Sequence, residues 1–239
     1  CRVTPPKKSI GTLMKYSDLL ADWLVEAGYT TCFFLAGGNI MHILESCSRK
    51  MKMVPVVHEV AAGIAVEYFN ETKKGERAFA LVTAGPGLTN IVTALGGAYL
   101  ESRELLVIGG QVKTADLNNG KLRQNGIQEI DGVALAKPVC VLSTLMDDVV
   151  TQDTFTAMAK AGSTGRKGPV FIELPLDIQG RNVDEKELNK PTTNKTSAYP
   201  AISKSDLEKV AQRIKDAKRP VILLGGGISR ETAASIAFE

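Results

Sequence analysis

The chain has 239 residues, of which 44% are hydrophobic and 23% are charged, and this balance is typical of a folded protein and too apolar for a disordered one. The formal net charge is +3, but residues 1–15 carry four positive charges and no acid, so the rest of the chain has a net charge of −1. A basic groove is therefore not indicated, and we expect no nucleic-acid partner.

Cysteine and histidine usage argues against metal and disulfide chemistry. The four cysteines show no CxxC spacing and there are only two histidines, so neither a zinc site nor a disulfide framework is predicted. No apolar run reaches the ~18 residues that a membrane helix needs. The N-terminal segment also lacks the apolar centre of a secretory signal. We therefore expect a cytoplasmic protein without a membrane partner.

Apolar periodicity and turn residues predict alternating helices and strands. The predicted helices cover residues 17–27, 39–49, 59–72, 88–99, 131–136 and 147–162. The predicted strands cover residues 30–35, 53–57, 78–83, 104–110, 138–142 and 169–174. This alternation predicts an α/β fold, an open and mainly parallel six-stranded sheet with helices on both faces.

Polar stretches divide the chain further. Residues 111–130 form a long polar loop, and long loops in compact α/β domains are often functional. After a polar linker, the pattern gives a helix at 205–218, a strand at 220–225 and a helix from about 231, which is too little to bury both faces of a sheet. The predicted organisation is a basic arm (1–15), an α/β domain (16–177), a linker (178–200) and the incomplete start of a second α/β domain (201–239).

Glu59 lies where a predicted strand ends and a predicted helix begins. Acids are common in the first turn because the helix dipole stabilises them by ~0.3–1 kcal/mol, and position alone favours this structural role. The functional alternative is a buried carboxyl at the carboxyl-terminal edge of a parallel sheet, where such folds bind ligands. The small and apolar residues 60–63 would then form a dry wall in which a carboxyl shares a proton.

Three glycine-containing turns permit both a structural and a binding interpretation. The segment TAGPGLTN (83–90) and the pair Gly37-Gly38 follow predicted strands, where glycine allows close approach of the backbone to a flat or anionic ligand. The segment LLGGGISRE (223–231) resembles a dinucleotide-binding turn, but Arg230 stands where the third glycine belongs. A nucleotide-binding module therefore stays open as an alternative, although a structural turn is favoured.

Seven segments, taken in order, resemble one enzyme family. They are LAGGNIM (35–41), HEVAAGIA (58–65), LVTAGPGLTN (81–90), GGQV (109–112), IQEID (127–131), KPV (137–139) and GPVFIELPLDIQ (168–179). The set is similar to the N-terminal pyrimidine-binding domain of thiamine diphosphate-dependent enzymes, most of all to the acetolactate synthase branch of 2-oxo acid carboligases and decarboxylases. RPVILLGGGIS (219–229) resembles the start of that family's central domain.

The resemblance implies a role for each matching site residue. Glu59 matches the family's acid that hydrogen-bonds N1′ of the aminopyrimidine ring and so favours the imino tautomer that removes the C2 proton of the thiazolium. Gln128 would reach the substrate side from the long loop and act beside Glu59 in catalysis. The residues expected to line the aminopyrimidine are Ala36, Gly37, Gly38, Thr83, Pro86 and Asn90.

Two departures from the family bear on the substrate. The family's Tyr-Pro-Gly-Gly is replaced by Leu35-Ala36-Gly37-Gly38, which leaves the identity of the 2-oxo acid open. The loop segment 121–129 lacks the histidine pair of simple pyruvate decarboxylase-like relatives, and this favours a carboligase over an aldehyde-releasing decarboxylase.

The resemblance also implies partners. The family holds Mg²⁺ and the diphosphate with a Gly-Asp-Gly…Asn motif, and this sequence does not contain that motif. The expected cofactors are thiamine diphosphate and Mg²⁺, which would be bound mainly by a domain missing from this chain. The chain alone would therefore be inactive. A homodimer or homotetramer with the active site at the subunit interface is expected. Binding of FAD stays open, and a non-catalytic assembly module on the same fold remains the alternative to an enzyme, although the presence of Glu59 argues against it.

Overall fold

A single parallel sheet organises the first of two units. The computed structural model describes residues 13–118, 120, 122–189 and 202–237, and its contacts divide the chain into units Cys1–Thr192 and Thr193–Glu239. The strands, in chain order, are β1 (Leu13–Lys15), β2 (Tyr29–Phe34), β3 (Lys52–Pro55), β4 (Arg77–Val82), β5 (Leu105–Gln111), β6 (Leu142–Leu145), β7 (Pro169–Pro175) and β8 (Asn182–Asp184). The large sheet has the order β3-β2-β4-β5-β7-β6 with every neighbouring pair parallel, which confirms the predicted α/β class.

Helices cover both faces of this sheet. They are α1 (Tyr16–Glu26), α2 (Met41–Ser48), α3 (Glu59–Thr72), α4 (Pro86–Leu100), α5 (Gly132–Ala136), α6 (Gln152–Lys160), α7 (Leu176–Gln179) and α8 (Glu185–Leu188). One apolar cluster joins α1, α2 and α6 to the sheet, and a second joins α3, α4 and α5 to its other face. Within β4, Phe79 and Leu81 belong to the first cluster and Ala80 and Val82 to the second, because successive strand residues point to opposite faces.

The edge of the sheet differs from the prediction. The strand expected at 138–142 is wrong: residues Lys137–Val139 form a turn of 3-10 helix, and the strand begins at Leu142. Pro138 explains the shift, because proline has no N–H to donate to a strand ladder. The helix expected at 147–162 is shorter, since Thr151 caps its first turn by accepting a hydrogen bond from the Thr154 N–H.

The predicted domain bounds stay a prediction, but part of the expected linker is folded into the first unit. Residues 178–189 include the end of α7 together with β8 and α8, and β8 pairs antiparallel with β1. Val183 is buried, and Trp23 Nε1 donates a 2.9 Å hydrogen bond to Asn189 Oδ1, so this segment is anchored to the core around α1. Residues 190–200 of the linker and 1–12 of the basic arm lie outside the described residues.

The described part of the second unit contains the helices α9 (Lys204–Asp216) and α10 (Arg230–Ala237). The strand expected at 220–225 does not form, and Val221 and Leu223 are almost fully exposed. A strand needs a neighbour for its backbone N–H and C=O groups, and the described part of this unit offers none. Of the helices in the described ranges, none combines the length and apolar character required to cross a membrane.

Candidate functional site

The strand order creates a crevice at the carboxyl-terminal edge of the sheet. From β2 the chain moves to β3 on one side, whereas β4 lies on the other side of β2. The loops that leave β2 and β4 therefore diverge, and open α/β sheets bind ligands at such a switch point. The sequence-predicted site residues before position 100 all lie on the segments that follow β2, β3 and β4.

Glu59 is the buried acid of this edge. It is the first residue of α3 and only 3% exposed, which the functional interpretation of the sequence requires. Asn90, one turn inside α4, donates a 2.9 Å hydrogen bond from Nδ2 to Glu59 Oε2. His58 has a local structural role, because its Nδ1 accepts a hydrogen bond from the Val60 N–H and caps α3. The carboxyl group is thus fixed at one oxygen by an amide.

A close contact between two helices brings Glu59 to Asn90. One turn further along α3, Gly63 is buried, and a Cβ there would overlap with Ala94 and reach to 3.0 Å of Ile91 Cδ1. Residues four apart lie on the same helix face, so Glu59 sits above Gly63 and Asn90 above Ala94. The absent side chain of Gly63 lets the helices approach, and the polar pair meets one turn above.

Gly37 and Thr83 meet between the ends of β2 and β4. A Cβ at Gly37 would lie 2.5 Å from Thr83 Oγ1 and 2.6 Å from its Cγ2, so this approach requires glycine. Thr83 Cγ2 and Glu59 Oε1 in turn lie 3.2 and 3.4 Å from the position of a Cβ at Gly87. These contacts link four of the predicted site residues, including Asn90, into one connected group.

Two buried polar atoms beside the crevice have no hydrogen-bond partner among the described residues. They are Thr83 Oγ1 and Asn39 Nδ2, the latter in the 3-10 segment Gly38–Ile40 that follows β2. Buried polar atoms are normally paired, so orphaned ones call for a bound partner. Sequence reasoning proposed Thr83 as a site residue but not Asn39, which it placed only at the start of the predicted helix 39–49.

Gln128 reaches the same edge from the long loop. It has a positive φ of 62°, which is uncommon for a residue other than glycine. A Cβ at Gly85 would lie 2.6 Å from Gln128 O and 2.9 Å from Gln128 Cβ, and Gly85 itself has a φ of 63°. The main chain of Gln128 therefore packs against the turn between β4 and α4, while its side chain is exposed.

The remaining predicted residues lie on the same segments without a comparable contact. Ala36 and Gly38 are exposed in the loop after β2, and Pro86 is exposed at the first position of α4, where proline is favoured. The glycines at 225 and 227 lie in the second unit before α10, with no strand preceding them. The strand–turn–helix context of a dinucleotide-binding turn is therefore not formed in the described residues.

Sequence reasoning missed Glu173, a buried acid in β7. It is 3% exposed in a strand whose other residues are apolar and buried. Burial, followed by the nearby charge of Asp131, raises the pKa of its carboxyl to about 8. The signal was present, since a single acid inside the apolar run PVFIELP is unexpected in a buried strand. In the described ranges, no group of three or more acidic, histidine or cysteine side chains is arranged to hold a metal ion.

Comparison with known proteins agrees with this geometry. Residues 14–135 match the family model described as "Thiamine pyrophosphate enzyme, N-terminal TPP binding domain". The chain is 30% identical over 219 residues to the acetolactate synthase isozyme 1 large subunit of Escherichia coli K12, covering 89% of this chain and 37% of that protein. It is 31% identical over 232 residues to the glyoxylate carboligase of Escherichia coli O157:H7, covering 93% and 37%.

A third relative is the 2-hydroxyacyl-CoA lyase 2 of Bos taurus, which is 37% identical over 155 residues, or 63% of this chain and 23% of that protein. The chain thus spans well under half the length of the curated relatives it matches. The matched range contains β2 to α4, Glu59, Asn90 and the Gln128 loop. The chain belongs to the thiamine pyrophosphate enzyme family, of which it contains the N-terminal TPP binding domain.

Proposed function

We propose that this chain is the cofactor-activating part of a thiamine diphosphate-dependent carboligase. Such an enzyme decarboxylates one 2-oxo acid and joins the remaining carbons to a second carbonyl compound. The similarity of the chain to acetolactate synthase large subunits supports this reaction. The observation that carries the proposal is the buried carboxyl of Glu59, fixed by Asn90 at the switch-point crevice. A non-catalytic assembly module would not require a buried acid held by an amide at this edge, so Glu59 favours an enzyme.

The residues around the crevice fit an aminopyrimidine ring. Such a ring is flat and carries both donors and acceptors, and the crevice offers an orphaned hydroxyl at Thr83 and a buried acid at Glu59 beside glycines that keep the backbone accessible. The residues that would hold the ring are Ala36, Gly37, Gly38, Thr83, Pro86 and Asn90. When bound, thiamine diphosphate supplies a thiazolium carbon that attacks a carbonyl group and takes up the electrons left by departing CO2.

Glu59 holds and returns a proton at the pyrimidine nitrogen in this proposal. Asn90 donates to Oε2, which leaves Oε1, packed beside Gly87 and Thr83, as the oxygen that would share a proton with the ring. Burial excludes water, which would otherwise compete for the proton. Gln128, whose exposed side chain stands at the turn after β4, contacts the substrate.

The other parts of the proposal concern what lies beyond this chain. Mg²⁺ and the diphosphate group are held by a further domain, so the 239-residue chain alone is inactive. The assembly is a homodimer or homotetramer with the active site between subunits. Its support is a set of exposed apolar side chains on α3, on α4 and just before α3, namely Val57, Ile64, Tyr68, Tyr99 and Leu100. Binding of FAD to the central domain is left open.

The test compares the full-length enzyme with its Glu59→Gln variant in the presence of thiamine diphosphate and Mg²⁺. We expect exchange of the cofactor's C2 proton for deuterium, and turnover of pyruvate or glyoxylate, to fall by ~10²-fold or more, because positioned proton transfer typically contributes ~10²–10⁴-fold. Binding of the cofactor, measured by calorimetry, should persist. Pyruvate, glyoxylate and a 2-hydroxyacyl-CoA are compared as substrates to identify the reaction.

Glu67→Gln is the matched control. Glu67 is also a buried acid of α3, but it forms a 2.7 Å ion pair with Arg103, two turns away from Glu59. This variant removes a buried charge without touching the crevice and should retain proton exchange. Wild-type exchange and turnover in Glu59→Gln would refute the proposal, as would equal loss in both variants at matched folding.

A further inference from the structure

Glu173 has no part in the chemistry proposed above, yet it is held by specific contacts. Gln111, at the end of β5, donates from Nε2 to Glu173 Oε1 at 2.9 Å and to Ile130 O at 2.9 Å. Gln111 Oε1 accepts from the Val112 N–H at 2.8 Å, so the amide is oriented with its donors toward Glu173 and Ile130. All polar atoms of this side chain are therefore committed to joining β5, β7 and the loop.

The loop approaches Glu173 closely on its other side. The Gly132 N–H is shared between the Ile130 carbonyl, at 3.1 Å, and the Glu173 carboxyl, and a Cβ at Gly132 would lie 2.5 Å from Glu173 Oε1. Only glycine permits this distance. Ile130 and Gly132 are thus both connected to the Glu173 carboxyl, one through Gln111 and one directly.

Gln128 lies two residues before this anchor. The loop residues before Gln128 are held by the carboxylate of Glu129. This carboxylate accepts hydrogen bonds from the backbone N–H groups of Asn118, Asn125 (2.8 Å) and Gly126 (3.0 Å). Burial alone would raise the pKa of Glu129, but these three donors outweigh it and lower the pKa. The left-handed conformation of Gln128 against Gly85 is maintained from both directions.

We propose that Glu173 is a positioning residue: through Gln111 and Gly132 it fixes residues 126–132 so that Gln128 stays against the turn after β4 and presents its side chain to the substrate. The inference rests on the proposed function only in giving Gln128 a substrate contact. The anchoring of the loop by Glu173 stands on the contacts themselves.

The charges around Glu173 make the anchor sensitive to pH. Burial and the charge of Asp131 raise its pKa to about 8, the charge of Glu129 adds to the rise, and the hydrogen bonds from Gln111 and Gly132 partly offset it. The two ionisable groups of the described residues that act on the Glu173 carboxyl, Asp131 and Glu129, are both acids. The packed neighbours Gln111 of β5, Leu145 of β6 and Leu88 of α4 carry no charge. Above about pH 8 the ionised Glu173 repels Asp131, which loosens residues 130–132.

The experiment measures backbone amide hydrogen exchange of residues 126–132 in the full-length enzyme as a function of pH, corrected for intrinsic exchange. We expect wild-type protection at Gly132 to fall at least ~10-fold as the pH rises through about 8. Glu173→Gln, which keeps the acceptor oxygen and cannot ionise, should show protection that does not change with pH. Glu173→Leu should lose the protection at every pH.

Steady-state kinetics on pyruvate or glyoxylate provide the second measurement. The KM of the wild type should rise across the same pH range and that of Glu173→Gln should not, while C2-proton exchange of the bound cofactor, which depends on Glu59, stays the same in both. If Glu173→Leu does not fold, the comparison of wild type with Glu173→Gln decides. Equal protection and equal KM in the two proteins at all pH values would overturn the inference and leave the proposed function intact. Protection that follows Glu173 in a protein without 2-oxo acid turnover would refute the proposed function alone.

Discussion

The free energy of unfolding of the first unit should depend on pH through the Glu173 carboxyl. This dependence should disappear in Glu173→Gln, which cannot ionise. The pKa of Glu173 is raised by burial from 4.5 to about 8 in the folded protein. Between these two values the folded protein holds a proton that the unfolded chain has released. The contribution is therefore fully present below the unfolded pKa and is lost as the pH rises through the folded pKa.

The magnitude follows from the size of the shift. Each pH unit inside the window changes the free energy of unfolding by about 1.4 kcal/mol. From about pH 5.5 to about pH 7.5 the wild type should lose about 2.5 kcal/mol of stability relative to Glu173→Gln, and above about pH 9 the difference should become constant. The glutamine retains an acceptor for Gln111 and Gly132, so the variant keeps the hydrogen bonds of the protonated acid.

Urea unfolding followed by tryptophan fluorescence is the assay. Trp23 is the single tryptophan of the chain and is 1% exposed in the core of the first unit, so its signal reports on that unit. Glu187→Gln, at an exposed position on α8, controls for the loss of one negative charge. A difference between wild type and Glu173→Gln that does not vary with pH would show that Glu173 is already ionised in the folded protein at neutral pH, and would refute the reasoning.

Two further predictions test the packing of the crevice and the apolar surface. Gly37→Ala should lower the free energy of unfolding by ~1–3 kcal/mol, because the new methyl group overlaps with the side chain of Thr83. In Gly38→Ala the methyl group meets open space, so the free energy of unfolding should change by less than ~0.5 kcal/mol. Urea unfolding measures both variants. In the full-length protein, Ile64→Lys on α3 should weaken self-association and the equally exposed Val25→Lys on the opposite face of the sheet should not, as measured by sedimentation. Unchanged association in both variants would contradict the proposed interface.

The sequence predicted the elements whose signals are local. β4 and β7 are buried on both faces and appear in the sequence as mostly apolar runs, which are typical of parallel strands and are interrupted in β7 by Glu173. The junction at Glu59 was predicted for the same reason, because an apolar stretch is followed there by a helical pattern, although residues 56–58 separate the strand from the helix. Strand order was not available from these patterns, since it depends on contacts between distant segments.

The errors have physical causes in pairing and proline. Residues 138–142 and 220–225 both have the composition of a strand, but Pro138 cannot donate to a ladder and residues 220–225 have no neighbouring strand among those described. Within the site, the close approach of Gly63 to Ala94 places Glu59 beside Asn90, and nothing in the local sequence around either residue indicates the other. Long-range contacts of this kind become visible only in three dimensions.

The two buried acids, Glu59 and Glu173, come from different elements of the sheet and have different partners, and this arrangement explains how one domain can serve two tasks. Glu59 enters from β3 and α3, and Glu173 from β7, so that β2, β4 and β5 separate them in the sheet. Glu59 accepts a hydrogen bond from one amide at Oε2, and its other oxygen, which lies beside Gly87, accepts none among the described residues, so that oxygen is the one proposed to meet a ligand. Glu173 accepts hydrogen bonds from Gln111 and Gly132 and faces two acids, which commits it to the protein rather than to a ligand. The loop that carries Gln128 is anchored at Glu173 and packs against the turn at Gly85, between β4 and α4. In this proposal the proton is held by Glu59 and the substrate-contacting side chain is positioned through Glu173, so the two tasks depend on different acids.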